Sequence, residues 1–170
     1  GVPEVLEAVI ARVPPPSGDP QAPLKALIFD SWFDNYQGVI VLTRVVDGAI
    51  RPGMKIKVMS NDRTFEVMEV GNFAPKRTKK TELLTGEVGY LCANMREVAD
   101  VKIGDTLTDA VSPTREPFPG YKDVKPLVFC GLYPTDTARY EDLRDALVKL
   151  RLNDSSFVYE PETSLALGFG

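Results

Sequence analysis

The chain has 170 residues, of which 44% are apolar and 26% are charged, and this composition is typical of a globular protein. Its net charge of −4 excludes an overall basic bias toward nucleic acid, so any contact with phosphate groups has to be local. The chain has no histidine, which removes Ser–His and Cys–His nucleophile pairs and the usual zinc ligand sets. No apolar run reaches the length of about 18 residues expected of a transmembrane helix.

The first segment, residues 1–20, is predicted to form one helix followed by a linker. Pro3 suits the first helical turn, and Glu4 suits the positive N-terminal end of the helix dipole. The prolines at 14–16 end the helix. We expect this helix to be the last element of a preceding domain. Its apolar residues recur at helical spacing: Val5, Leu6, Val9, Ile10 and Val13.

The second segment, residues 21–112, carries short apolar or alternating stretches separated by tight turns. The stretch "MKIKVMS" alternates apolar and basic residues, as a half-buried strand does. A series of such strands predicts a small closed β-barrel of the translation-factor type, the mainly β part of the fold. Five glycines are predicted to hold its turns and close contacts: Gly48, Gly53, Gly86, Gly89 and Gly104.

The remaining residues are predicted to form a connector, 113–124, and a partial α/β domain, 125–170. "PLVFCGLYP" is typical of a buried strand, a helix with one apolar face follows, and "SFVYEPETSLALGFG" supplies further strands. This order is half of a ferredoxin-like split βαβ unit. One helix leaves part of such a sheet bare, and apolar residues continue to Gly170. We therefore expect the chain to be a fragment with an incomplete last domain.

Two cysteines, Cys92 and Cys130, lie in apolar, strand-like stretches. Their number and setting favour two buried free thiols in a reducing compartment over a disulfide. Cys130 would act as a nucleophile only with a base beside it, and the chain has no histidine. We predict that it is a core thiol.

Several stretches of the chain resemble the translational GTPases: "GVPEVLEAVIARVPPP", "PLKALIFDSWFDNYQGVIVLTRVVDGAIRPG", "TELLTGEVGYL" and "IGDTLT". Three stretches, the first of them contained in the second of those, are similar to the LepA (elongation factor 4) family in particular: "DSWFDNYQGV", "KPLVFCGLYPTD" and "LRDALVKLRLNDSSFVYEPETSLALGFG". Together they cover nearly the whole chain in order. The resemblance implies the end of a GTPase domain, then domain II (the barrel), then the first part of domain III.

The resemblance also implies what the parent protein does. It would be a ribosome-dependent GTPase that binds GTP and Mg²⁺ and back-translocates or remobilises stalled ribosomes. Its expected partners are small-subunit rRNA, a ribosomal protein and the upstream GTPase domain, without DNA. The parent is expected to be monomeric and cytoplasmic, and the resemblance also allows peripheral association at the inner face of the cell membrane. The chain itself lacks G-x-x-x-x-G-K-[ST], so no catalytic, cofactor-binding or metal residue is predicted in it.

The stretch "PKRTKK", residues 75–80, brings four cations together on a predicted barrel loop. One interpretation is a contact with rRNA phosphates, which the resemblance favours because domain II of these factors faces small-subunit RNA. The other is a solvated loop without a partner. The four residues are Lys76, Arg77, Lys79 and Lys80.

Two further features allow two interpretations each. The aromatic residues Trp32, Phe33 and Tyr36 lie between two predicted strands, where they either stack on RNA bases or another domain or plug one end of the barrel; the pattern favours the plug. Glu160 and Glu162 share one face of a predicted strand. A salt-bridged or solvated edge is favoured there over acid–base chemistry.

The predicted function is a non-catalytic ribosome-docking and domain-relay segment with a hinge near residues 112–124. Two alternatives stay open. A barrel that binds a small molecule or flavin predicts a convergent polar cluster, which the sequence does not show. A protein-interaction module would use the bare sheet of the third domain.

Overall fold

The computed structural model describes residues 1–34, 36–95, 100–121, 127–154 and 157–170. Within these residues the α-helices are α1, Val2–Arg12, and α2, Tyr140–Asn153, and a short 3₁₀ helix, Thr137–Arg139, precedes α2. Within the described residues the strands β1 to β12 are, in chain order, Lys25–Asp34, Gly38–Asp47, Ala49–Ile50, Lys55–Val58, Thr64–Glu66, Glu69–Phe73, Arg77–Lys80, Leu83–Leu84, Val88–Cys92, Thr106–Asp109, Thr163–Ser164 and Gly168–Phe169.

Helix α1 confirms the helix predicted at the N-terminus. Pro3 lies in its first turn, and the terminal amine contacts Glu4 Oε2 at 2.9 Å. Val13, which precedes three prolines, is extended with φ −86° and ψ 120°, because a following proline disfavours helical backbone. The apolar stripe is exposed, with Ile10 at 77%. Neither described helix has the length and apolar character needed to cross a bilayer.

Eight strands form one antiparallel sheet in the order β5-β4-β10-β1-β2-β9-β6-β7, and β3 pairs with β8 separately. One continuous stretch, residues 64–73, pairs with β4 through β5 and with β9 through β6. Between them the Val67 N–H donates to the Met54 carbonyl at 2.8 Å, and the Met68 N–H donates to the Cys92 carbonyl at 2.8 Å. The sheet therefore rolls into a fold of the β-barrel type, as the sequence predicts.

One buried apolar cluster fills the inside of the rolled sheet. It joins residues from distant strands, such as Ile56 of β4 and Val70 of β6, both fully buried. Each fully buried side chain of this kind contributes about 1.5–3 kcal/mol relative to exposure. The members are Leu24, Ala26, Ile28, Val39, Val41, Val45, Ile50, Ile56, Val58, Val67, Val70, Leu83, Leu91, Ala93, Met95, Val101 and Leu107.

The linker after α1 lies against the barrel. The Asp19 N–H donates to Asp47 Oδ1 at 2.8 Å, and the Gly48 N–H donates to the Asp19 carbonyl at 3.0 Å. Gly86 has φ +85°, and a Cβ there would lie 2.7 Å from Pro16 Cβ. A side chain at Gly86 would both strain the backbone and displace the linker.

The connector is also attached to the barrel. The Thr114 N–H donates to Thr108 Oγ1 at 2.7 Å, and the Phe118 N–H donates to Thr106 Oγ1 at 2.8 Å. Both accepting threonines are buried in β10. Lys25 Nζ lies 4.5 Å from the centroid of the Phe118 ring. The predicted hinge thus contacts the barrel at Thr114 and Phe118, while residues 122–124 lie outside the described residues.

The strand predicted at "PLVFCGLYP" is wrong for its described part, residues 127–134, which has no regular secondary structure. Leu127, Val128 and Phe129 are exposed at 91%, 86% and 84%. No described strand pairs with them, so their side chains stay uncovered. Cys130 is exposed as well, which corrects the predicted core thiol.

Helix α2 confirms the helix predicted in the last segment. It packs on β1, where Lys149 Nζ lies 5.4 Å from the centroid of the Phe33 ring. Its first residue, Tyr140, contacts the ring of Phe169 at 5.8 Å between centroids. Strands β11 and β12 form a short hairpin with Ser164 opposite Gly168. The domain boundaries predicted from the sequence stay predictions.

Candidate functional site

The four predicted RNA-contacting cations lie on a strand and the turn before it, which corrects the predicted loop. Arg77, Lys79 and Lys80 belong to β7 at the end of the sheet order, and exposed Lys76 directly precedes it. Since alternate residues of a strand face opposite sides, Arg77 and Lys79 share the outer face of the barrel. The structure therefore divides the predicted cluster between two faces.

Arg77 is held in place by its own barrel. Its guanidinium donates to Gln37 Oε1 at 2.7 Å and to Glu69 Oε1 at 3.2 Å. The same group lies 4.3 Å from the centroid of the Tyr90 ring, a cation–π distance. Arg77 thus orders the outer face, and it is committed to internal contacts.

Glu69 is the anion at the centre of this arrangement. It accepts a hydrogen bond from Tyr90 Oη at 2.9 Å, and its other oxygen lies 2.6 Å from Lys79 Nζ. Burial raises the pKa of Glu69, but the hydrogen bonds from Lys79 and Tyr90 outweigh burial and leave the pKa below its usual value. The hydrogen bond to Glu69 in turn raises the pKa of Lys79. Both groups are charged at neutral pH.

Lys80 has a separate partner. Its Nζ lies 2.5 Å from Glu87 Oε1, and the Leu84 N–H donates to Glu87 Oε2 at 2.9 Å. The hydrogen bond from the backbone N–H of Leu84 lowers the pKa of Glu87 most, and the hydrogen bond from Lys80 lowers it further. Three of the four predicted cations therefore carry an acidic partner within the barrel.

The aromatic residues predicted to plug the barrel take three different positions. Trp32 and Phe33 lie within β1 on opposite faces. Trp32 packs against a small buried cluster of Ile40, Tyr90 and Cys92, and Phe33 packs against the core. Tyr36 is 98% exposed, so the plug is wrong for this residue. The backbone N–H of Gln37 and that of Tyr36 donate to Asp34 Oδ1, which lowers the pKa of that carboxyl.

A second aromatic set, which the sequence did not predict, completes the outer face. The Phe73 ring lies 6.2 Å from Trp32 and 5.5 Å from Tyr90 between centroids. Gly71 makes room for Tyr90, since a Cβ at Gly71 would lie 2.5 Å from Tyr90 Oη. Glu69, Gly71 and Phe73 alternate along β6 and so share this face. That alternation is visible in "EVGNF", but the strands beside it are distant in sequence.

We call the outer-face residues Trp32, Glu69, Phe73, Arg77, Lys79 and Tyr90 the aromatic–basic face. Cys92 lies beneath it, with Sγ 3.5 Å from the Arg77 guanidinium. Burial raises the pKa of the Cys92 thiol, which keeps it protonated and unreactive at neutral pH. The buried free thiol predicted at this position is confirmed.

The predicted turn glycines lie where the chain turns or packs closely. Gly48, Gly53 and Gly104 have positive φ values of 70°, 84° and 94°, as Gly86 does. Gly89 instead lies in β9, where a Cβ would approach the Gly71 carbonyl to 2.3 Å. These glycines shape the backbone, and they have no side chains that could take part in binding or catalysis.

Neither Glu160 nor Glu162 lies in a strand, so the strand predicted to place both on one face is wrong. Glu162 exchanges backbone hydrogen bonds with Gly170 at 2.7 and 3.0 Å. Its side chain affects Tyr133, whose pKa is raised by burial and then by Glu162. Glu160 is exposed. Within the described parts of the chain no group of three histidine, cysteine or acidic residues could hold a metal ion.

Comparison with known proteins places the barrel in a wider family. The family described as elongation factor Tu domain 2 matches residues 38–108. This range runs from the start of β2 into β10 and includes every member of the aromatic–basic face except Trp32. The match agrees with a mostly β fold of the barrel type.

Full-length relatives extend the match to the whole chain. It is 59% identical over 170 residues to elongation factor 4 of Sorangium cellulosum and 56% identical over 170 residues to that of Geobacillus thermodenitrificans. It is 57% identical over 169 residues to elongation factor 4 of Maridesulfovibrio salexigens. The matches cover 99–100% of this chain but 28% of each relative. The chain belongs to the elongation factor 4 (LepA) family.

Proposed function

We propose that this chain is the ribosome-docking and domain-relay segment of a ribosome-dependent elongation GTPase, with no catalytic role of its own. The observation that carries the proposal is the 56–59% identity to elongation factor 4, which extends over at least 99% of the chain. Because the chain spans 28% of these relatives, GTP hydrolysis and back-translocation or remobilisation of stalled ribosomes are proposed for the whole protein.

The docking partner in this proposal is small-subunit rRNA, with a ribosomal protein beside it. Lys76 is exposed and Lys79 has 76% of its side chain exposed, so both are available to phosphate groups. Lys79 also pairs with Glu69, whose side chain is 16% exposed, but an ammonium has three N–H donors and can contact a phosphate as well. Arg77 and Lys80 are instead held by ion pairs within the barrel. The proposal thus narrows the predicted contact to two of four cations.

The relay role is supported by contacts of the barrel with both of its flanking segments. The linker is bonded to Asp47 and Gly48, and the connector is bonded to Thr106 and Thr108. Because both segments are bonded to the barrel, a displacement of either segment moves the whole barrel with it. The upstream GTPase domain is the proposed source of that displacement.

GTP and Mg²⁺ are assigned in this proposal to the rest of the whole protein. The chain has no G-x-x-x-x-G-K-[ST] stretch, whose backbone N–H groups and lysine hold phosphates. The whole protein is proposed to be monomeric and cytoplasmic, with peripheral association at the inner face of the cell membrane as a further hypothesis.

Co-sedimentation with purified small ribosomal subunits tests the docking role. We expect the chain to sediment with the subunits at low salt and to be released steeply as salt rises, because phosphate contacts release counterions. The variant Lys76→Glu should weaken sedimentation and reduce the salt slope by at least about 1. Lys55→Glu makes the same charge change at an exposed lysine of β4 and should behave as wild type. A folded wild-type chain that stays in the supernatant at low salt would contradict docking.

A protein-interaction module is the second candidate, favoured by the exposed run Leu127, Val128 and Phe129. It predicts self-association that depends on protein concentration in sedimentation velocity. A concentration-independent monomer would contradict it. The barrel interior is occupied by apolar side chains, which argues against the small-molecule alternative.

A further inference from the structure

Phe73 is a large apolar side chain that stays 46% exposed at the end of β6. Its neighbour across the ladder is Arg77, and its ring contacts those of Trp32 and Tyr90. Tyr90 is fully buried and is fixed by its hydrogen bond to Glu69. Phe73 is therefore an aromatic ring on a rigid base, with nearly half of its surface in solvent.

The charge around Phe73 is opposite to the net charge of the chain. On the outer face of β1, β2, β9, β6 and β7 the pairing registers place three cations, Arg44, Arg77 and Lys79, together with three carboxylates, Asp30, Asp34 and Glu69. Lys76 adds a fourth cation in the turn beside them. The whole chain carries −4. Four cations against three carboxylates leave an excess of one positive charge on this face, which favours an anionic partner.

Asp34, one of these three carboxylates, is bound into the turn that follows β1. One of its carboxylate oxygens accepts the backbone N–H groups of Tyr36 and Gln37 at 2.8 and 2.9 Å. Gln37 then contacts Arg77 at 2.7 Å. Asp34 thus organises the turn after β1.

We propose that the aromatic–basic face binds an unpaired nucleotide of RNA, whose base stacks on Phe73 beside Trp32 and whose flanking phosphates contact Lys76 and Lys79. The inference deepens the proposed docking function and rests on it. Proteins that bind single strands combine stacking aromatics with a basic groove. A duplex offers no free base face, and an acidic peptide leaves the exposed ring unused. An unpaired nucleotide uses both the ring and the cations.

Trp32 is the only tryptophan of the chain and lies 6.2 Å from Phe73, so its fluorescence reports on this face. We expect single-stranded hexauridylate to change Trp32 emission in a saturable way, and the same length of duplex RNA to do so much more weakly. Loss of one stacked base by Phe73→Leu should weaken binding by about 5-fold to 150-fold. Phe73→Tyr keeps the ring and should bind as wild type.

Tyr121→Leu is the matched control, because Tyr121 is 55% exposed and packs near Gly104, away from this face. It should leave hexauridylate affinity unchanged. Equal affinity of wild type and Phe73→Leu would overturn the stacking proposal, and so would equally tight binding of duplex RNA or of hexaglutamate. Circular dichroism of each variant confirms that it is folded.

Small-subunit sedimentation separates this inference from the docking proposal. If Phe73→Leu sediments as wild type does, docking stands and the stacking proposal is overturned. If the wild-type chain does not sediment, docking fails, and binding of hexauridylate lost in Phe73→Leu would still support the aromatic–basic face as a site for unpaired RNA.

Discussion

The barrel and the C-terminal segment, residues 127–170, place similar apolar runs in opposite environments. In the barrel, Ile28 and Val41 are fully buried between paired strands. In the C-terminal segment, Leu127 and Phe129 are 91% and 84% exposed, and no described strand pairs with them. The difference teaches that apolar β-type sequence buries itself only when another strand lies beside it. Four predictions, from the largest effect to the smallest, test this difference.

Truncating a core side chain should affect stability far more than truncating its C-terminal counterpart. Ile28→Ala removes methyl groups from a fully buried site, and we expect it to lower the free energy of unfolding by about 3 kcal/mol. Leu127→Ala acts on a side chain in solvent and should change it by less than about 0.5 kcal/mol. Urea unfolding followed by circular dichroism measures both. Equal losses in the two variants would mean that the C-terminal segment is packed.

The ionised form of Glu69 should stabilise the barrel in a pH-dependent way. Because its pKa is lowered in the folded state, this stabilisation is present above the ordinary value of about 4.5 and is lost as pH falls through the lowered pKa. Glu69→Gln should cost about 1.5 kcal/mol at pH 7, with a smaller difference from wild type in acid. Glu160→Gln, at an exposed site in the C-terminal segment, is the control. A loss that does not vary with pH would contradict the ion pairing.

The connector between the two regions should loosen when one of its acceptors is removed. Thr108→Val keeps a β-branched shape but deprives the Thr114 N–H of its acceptor. We expect a loss of about 1 kcal/mol and trypsin cleavage after Arg115 to be accelerated about 5-fold. Thr163→Val, at an exposed position of β11, should leave cleavage unchanged. Unaltered cleavage in Thr108→Val would show that the connector is held by other contacts.

Cys92 and Cys130 should differ in their reactivity toward a thiol reagent, although this difference does not change the stability of the fold. Cys130 is exposed and should react with Ellman's reagent in a fast phase. Cys92 is buried, and its raised pKa keeps the thiolate scarce, so it should react only as the barrel unfolds. Cys130→Ser should abolish the fast phase alone. Two equally fast thiols would show that the outer face opens readily.

The sequence predicted the local features of the fold well. Helices α1 and α2 were visible from apolar spacing, and β1, β2, β4 and β9 were visible as apolar or alternating runs. The stretch "TFEVMEV" is continuous in sequence, but the chain divides it between β5 and β6 because it crosses from β4 to β9. Strand β7, "RTKK", contains no apolar residue that would indicate a strand. It lies at the end of the sheet, and its cations form ion pairs.

The candidate site was predicted in part. Composition brought the four cations of residues 75–80 to attention, but their partners Glu69 and Glu87 lie in other parts of the strand order, which composition does not reveal. Phe73 and Gly71 belong to the site because both pack against Tyr90, which lies 17 or more positions further along the chain. Such pairings depend on strand register, and a single sequence does not specify register between distant strands.

The cations of β7 also bear on how the chain behaves in a crowded solution. Strand β7 pairs with β6 alone among the described strands, and three of its four residues are basic. An edge strand with free N–H and C=O groups invites a second molecule to add its own strand, and repeated charge opposes that addition. Two β7 strands brought side by side would meet as like charges. The feature that first suggested an RNA contact therefore also protects the open edge of the barrel from aggregation.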